Sequence, residues 1–154
     1  FFQEWIKSSF NGGSVCYDVT SVSSYSEMIT SIERGYNRDG ENLAEFNLGA
    51  FCDEKTKMPL YYESYNGSLT DRTNLAYVVA GANTEGLGKI KIVLDGGFWS
   101  KPCITTLFEH SEAFTVGLPG YLQIAKEAVS KYSNDVKTYA NPRRIYEGNI
   151  LVIK

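Results

Sequence analysis

An α/β domain, with a mixed sheet and helices on its faces, is the fold this sequence predicts. Three observations carry the expectation. Short β-branched and aromatic runs alternate with stretches of helical spacing, two extended runs joined by a charged turn come early, and one apolar run contains an aspartate (Asp18) while another ends in one (Asp95). Hydrophobic residues make up 43% and charged residues 21% of the 154, the balance of an ordinary folded domain. A chain of this length buries roughly two thirds of the surface its unfolded form exposes, so a single core suffices.

Taken in order, residues 14–20 (SVCYDVT) follow Asn11-Gly12-Gly13 and precede serines, and read as a buried strand with Asp18 inside it. Residues 26–34 (SEMITSIER) are expected to form a helical turn or two with Met28, Ile29 and Ile32 on one face, and GYNRDGEN is loop by composition. Residues 43–52 (LAEFNLGAFC) and 59–65 (PLYYESY) make an antiparallel hairpin across DEKTKM. Alternation in the second run puts Tyr61 and Tyr65 on the side opposite Tyr62. Thr70 or Asp71 caps a helix through NLAYVVAG, with Leu75, Val78 and Val79 at helical spacing, ending among Gly81, Gly86 and Gly88.

Residues 89–95 (KIKIVLD) form an apolar strand that stops at a carboxylate and two glycines. Ser100 with Pro102 in the following turn starts a helix whose body is ITTLFEH. Residues 113–118 (AFTVGL) are the next strand, stopped by Pro119-Gly120. An amphipathic helix over 121–132 then carries Leu122, Ala125 and Val129 on one side, and RRIYEGNILVIK reads as two strand segments around Gly148-Asn149. This order matches the ribonuclease-H-like fold, in which the first and fourth strands are neighbours. Asp18 and Asp95, separated by 77 positions (95 − 18), then come side by side.

An unpaired carboxylate inside an apolar strand costs several kcal/mol unless it is hydrogen-bonded, neutralised or metal-bound. Asp18 therefore either accepts bonds from its serine-rich neighbourhood or is a metal ligand. Asp95-Gly96 could open a hairpin, but GFWSKP leads into a helix start, which favours a strand-to-helix loop at the carboxyl edge of the sheet, where sites of such folds lie. Two carboxylates on neighbouring strands suit Mg²⁺ or Mn²⁺, hard ions that keep waters for substrate phosphates. Two such ions about 3.5 to 4 Å apart support in-line phosphoryl displacement. The single His110 has no partner at zinc-ligand spacing and reads as an exposed helix-end residue. No nucleophile elbow is present, and Gly86-Leu87-Gly88, which precedes a strand, is a linker rather than a nucleotide loop.

The formal charge of −3 argues against a dedicated DNA-binding module. It leaves a nuclease core open, because metal-binding carboxylates are negative until the ion is bound. No apolar run approaches the roughly 20 residues that span a bilayer, and FFQEWIKSSF lacks the pattern of a signal peptide, so neither export nor membrane insertion is expected. Cys16, Cys52 and Cys103 sit in apolar stretches without metal-ligand spacing, as reduced thiols of a cytoplasmic protein would. The start at Phe1 and the stop at Lys154, just after ILVI, lead us to expect a piece of a longer protein with parts missing at both ends.

Three stretches together resemble the insertion-sequence DDE transposases of the IS4-like superfamily: YDVTSVSSYSE around Asp18, NLGAFCDEKTKMPLYYESYNGSLTD, and KIVLDGGFWSKPCI around Asp95. GYNRDGENL is similar to the segment that precedes the hairpin in those proteins. The resemblance covers residues 14–118 and implies cut-and-paste DNA transposition, with Asp18 and Asp95 as the first two acids of a metal-binding triad. It also implies DNA, as transposon ends and target, for partner, and a homodimer when the full-length protein is on DNA. Two departures stand out. Gly96 occupies a position where family members commonly have Arg, and the Tyr-x-x-Arg-x-x-x-Glu pattern of the third acid is absent. A strand-rich insertion commonly precedes that glutamate, so residues 1–142 are expected to be an incomplete catalytic core and 143–154 the start of the insertion, with the glutamate beyond Lys154. Glu127 is the rival third acid. Another ribonuclease-H-like nuclease, or a decayed copy that folds but catalyses nothing, are the alternatives.

Overall fold

β1 (Ser14–Ser23) runs through the centre of a five-stranded sheet. β2 (Glu45–Asp53) pairs antiparallel on one side of it and carries β3 (Pro59–Asn66) antiparallel beyond. On the other side β4 (Lys91–Leu94) pairs parallel with β1, and β5 (Ala113–Val116) parallel with β4. The order is β3-β2-β1-β4-β5 with β2 alone reversed, the ribonuclease-H-like mixed sheet. Three helices belong to the same unit: α1 (Phe2–Ser9), α2 (Asp71–Ala82) and α3 (Lys101–His110). The computed structural model describes residues 1–26, 28–35, 43–132, 142–146 and 149–152. It divides into two units, Phe1–Gly117 and Leu118–Lys154. The second contains α4 (Gln123–Tyr132) and an antiparallel pair, β6 (Pro142–Tyr146) with β7 (Asn149–Val152), matching the two segments expected around Gly148-Asn149.

Side-chain alternation decides which residues make the core. Val15, Tyr17 and Val19 of β1, Phe51 of β2, and Ile92 and Leu94 of β4 are buried with Leu75, Val78, Val79 and Ala82 of α2 and Cys103 and Leu107 of α3. Each residue between them, Cys16, Asp18 and Thr20 on β1, leaves toward the opposite face. In β3, Tyr61 and Tyr65 are buried while Tyr62 is 53% exposed, as alternation requires.

Local chemistry sets the boundaries. Thr70 caps α2 by accepting the Thr73 N–H, and Ser100 caps α3 by accepting that of Cys103, with Pro102 in the first turn. α2 ends in a widened turn over Asn83–Leu87, where Gly86 adopts φ 111°, a conformation costly for any residue with a Cβ. The β2–β3 turn is held by Asp53, whose Oδ1 accepts the Lys55 and Thr56 N–H groups at 2.7 and 2.8 Å.

The structure departs from the sequence reading in several places. Residues 26–34 form no helix among the described positions. Ser24 and Ser26 hydroxyls instead accept N–H groups two residues onward, competing with helical bonding. Met28, expected on an apolar helix face, is 93% exposed, and Glu33 bridges to Glu45 at the start of β2. α1 was not anticipated. It packs on β3 through Phe2, whose ring meets Tyr61 and Tyr62, and through Trp5, whose indole N–H donates to the Pro59 carbonyl at 2.7 Å. β4 begins at Lys91 rather than Lys89. On α4, Val129 is exposed whereas Ala125 and Ala128 are buried. Most of the GYNRDGEN loop, residues 36–42, lies outside the described residues. No helix among them is long and apolar enough to cross a membrane.

Candidate functional site

Asp18 lies on β1, and Asp95 directly follows β4, the strand that pairs parallel with β1. In the β1–β4 ladder Ser14 pairs with Lys91, Val15 with Ile92 and Cys16 with Val93, an offset of 77 (91 − 14). The same 77 (95 − 18) separates the two aspartates, so this register, continued two residues past the Cys16–Val93 pair where the ladder ends, would set Asp18 level with Asp95. Asp95 keeps extended backbone, φ −76° and ψ 174°, directly after β4. Both residues are exposed. That removes the burial cost expected of a carboxylate in an apolar strand, because Asp18 leaves on the face opposite the core.

Each carboxylate is oriented by one local bond. Asp18 Oδ1 accepts the Val19 N–H at 2.8 Å. Asp95 Oδ1 accepts the Gly97 N–H at 2.9 Å and thereby caps the short 3₁₀ turn Gly96–Phe98. This settles the Asp-Gly ambiguity, since the turn leads through the Ser100 cap into α3 and not into a hairpin. Beneath the pair, the Tyr17 ring packs on Phe98 at 5.4 Å and on Phe51 at 4.7 Å. Burial pushes the Tyr17 phenol far above its ordinary range, and the negative charges of Asp71 and Glu63 add to it, so the ring stays neutral in the core.

A cation braces the turn that follows the second acid. Arg72, in the first turn of α2, donates from Nε to the Gly97 carbonyl at 2.6 Å, while Gly97 donates its own N–H to Asp95. Arg72 is exposed. Its helix start is tied down on two sides, by Tyr65 Oη donating to Asp71 Oδ1 at 2.7 Å and by the Cys103 thiol donating to the Arg72 carbonyl at 3.6 Å. Reading the sequence missed this arginine. It lies 25 positions from its partner, in a helix start that otherwise reads only as a cap, and no linear pattern links the two.

Among the described residues no cluster of three or more His, Cys, Asp or Glu side chains is arranged to hold a metal ion. Glu127 lies in the second unit, where its Oε1 accepts Gln123 Nε2 at 2.9 Å across one turn of α4. His110 ends α3, 42% exposed, with Nε2 3.9 Å from Glu109.

No protein-family model matches the chain, and no curated protein matches it. Among solved structures it is similar to a piggyBac transposase, determined as a synaptic complex with hairpin DNA, at 18% identity over 77% of this chain and 26% of that one, with a TM-score of 0.46. It is also similar to the N-terminal RNase H domain of a Mycobacterium tuberculosis protein, determined as a fusion with maltose-binding protein, at 9% identity over 78% of this chain and 98% of that one, with a TM-score of 0.37. The chain thus spans 26% of the transposase's length. At such scores the likenesses carry no argument, and the fold assignment rests on strand order and direction.

Proposed function

We propose that this chain is part of the catalytic core of a cut-and-paste DNA transposase of the acidic-triad type, in which Asp18 and Asp95 hold Mg²⁺ or Mn²⁺. The observation that carries this reading is the common offset of 77 in the β1–β4 register and between the two aspartates. Hard carboxylate oxygens suit these ions, which need only one or two protein carboxylates beside water and substrate phosphate. Each aspartate uses Oδ1 locally and keeps Oδ2 without a hydrogen bond among the described residues. When bound, such ions activate a water or 3′-hydroxyl and stabilise the leaving oxygen of an in-line displacement.

The chain's own residues fix the geometry. The Val19 and Gly97 N–H groups orient the two carboxylates, and the Tyr17–Phe98 contact holds their backbones together from below. Arg72 braces the Asp95 turn and keeps its remaining N–H groups available to a strand phosphate. In this reading it supplies positive charge near Gly96, where the resembling family commonly has arginine. The third carboxylate comes from sequence after Lys154, with Glu127 as the alternative source, and the full-length protein works on transposon ends and target DNA as a homodimer.

A nicking assay on supercoiled plasmid with Mn²⁺ tests this, comparing the 154-residue chain, the full-length parent, and the parent carrying Asp18→Ala. The chain should remain near background, because one ligand of a two-metal site is lacking. The parent should nick and join, and Asp18→Ala should abolish both. Strong nicking by the chain itself, lost in Asp18→Ala, would move the third position to Glu127. An inert parent that contains the glutamate would favour the decayed copy.

A further inference from the structure

Cys16 and Cys52 face each other directly across the antiparallel β1–β2 ladder. Directly opposed residues have Cα atoms about 4.5 to 5.5 Å apart, inside the roughly 4.4 to 6.8 Å that a disulfide accepts. Their side chains necessarily leave on one face. Both thiols are free and partly exposed, whereas Cys103 is buried and donates to the Arg72 carbonyl. Burial raises the Cys52 thiol, and the neighbouring Cys16 raises it further. Between Phe51 and Cys52 the ladder to β3 shifts register, so Cys52 sits at an irregularity rather than in a continuous run of pairs.

We propose that Cys16 and Cys52 form a reversible redox site that closes to a cross-strand disulfide by exchange with a low-molecular-weight disulfide such as oxidised glutathione. In the first step the Cys16 thiolate attacks one sulfur of oxidised glutathione and expels a glutathione thiolate, leaving a mixed disulfide on Cys16. The Cys52 thiol then loses its proton to solvent, and its sulfur attacks the Cys16 sulfur and expels the second glutathione. Two protein thiols lose two electrons and two protons in total, and one oxidised glutathione becomes two reduced ones. Cys52 suits the second role because it stands directly opposite Cys16 on the neighbouring strand. A bond between adjacent strands at a partly exposed position is readily reduced again. Cys16 is also the last β1 residue paired with β4, two positions before Asp18 on the same face, so closure fixes the strand that carries the acid. The site does not depend on the transposase reading.

The test is exposure of the folded 154-residue chain to oxidised glutathione, followed by alkylation of remaining thiols, intact mass measurement and peptide mapping. A loss of two hydrogens, one Cys16–Cys52 linked peptide and one alkylated Cys103 are expected, with full reversal by dithiothreitol. Cys103→Ser should behave the same, while Cys16→Ser and Cys52→Ser should go no further than a glutathione adduct. Separate adducts on both cysteines of the wild type would overturn the proposal. So would a bridge involving Cys103, or linkage that forms only when the chain is first unfolded in guanidinium.

Discussion

Tyr17 and Phe98 meet ring to ring at 5.4 Å, joining the residue before Asp18 to the turn after Asp95. The contact is possible because Gly49, on the neighbouring strand, has no side chain: a Cβ there would stand 2.4 Å from Tyr17 Oη and 3.0 Å from Cε2. Tyr17 is buried and packed by Phe51 on another side, so the ring cannot simply swing aside. Gly49→Ala should therefore lower stability by about 1 to 3 kcal/mol, the usual cost of overpacking, and should weaken Mn²⁺ binding at the two aspartates. Guanidinium unfolding with a parallel Mn²⁺ titration measures both. Wild-type behaviour in each would remove the clamp from the account.

Alkaline pH should destabilise the fold through Tyr61. Burial, and then the hydrogen bond it donates to Glu63, push its phenol from 10.0 up to about 12. The unfolded chain releases this proton near the ordinary value, while the folded chain retains it, so stability is full below about pH 10 and is lost as pH rises toward 12. Guanidinium midpoints across that window should fall, and Tyr61→Phe should make the fall shallower. A slope unchanged in the variant would assign the alkaline loss to other groups.

Arg72 should act on phosphate. Arg72→Gln should weaken binding to DNA of any sequence and reduce the dependence of log affinity on log salt by about 0.9, the contribution of one duplex phosphate contact. Lys55→Gln, in the β2–β3 turn, is the control and should leave the slope nearly unchanged. Fluorescence anisotropy over a salt series separates the two outcomes, and an unaltered slope in Arg72→Gln would restrict this arginine to bracing the Asp95 turn.

The sequence was informative where the signal is local. Strand alternation assigned Tyr61, Tyr62 and Tyr65 to their faces, cap residues located the starts of α2 and α3, and the apolar runs around Asp18 and before Asp95 were strands. The region after β1 misled because Met28, Ile29 and Ile32 have helical spacing while serine hydroxyls compete for the same N–H groups. α1 went unread because its apolar face, Phe2, Ile6 and Phe10, is short and gains meaning only against β3 and the core. Arg72 and the Tyr17–Phe98 contact are tertiary features. A linear reading places the two acids on neighbouring strands but does not reveal what orients them.

The most direct test of the central claim is Mn²⁺ titration of the ¹⁵N-labelled 154-residue chain, followed by paramagnetic broadening of its amide signals. If Asp18 and Asp95 share an ion, signals of Val19, Gly96 and Gly97 should broaden first, at metal concentrations reflecting weak binding because two carboxylates leave the ion mostly hydrated. The effect should disappear in both Asp18→Ala and Asp95→Ala. Broadening centred away from the ends of β1 and β4, or persisting there when either aspartate is removed, would contradict the account.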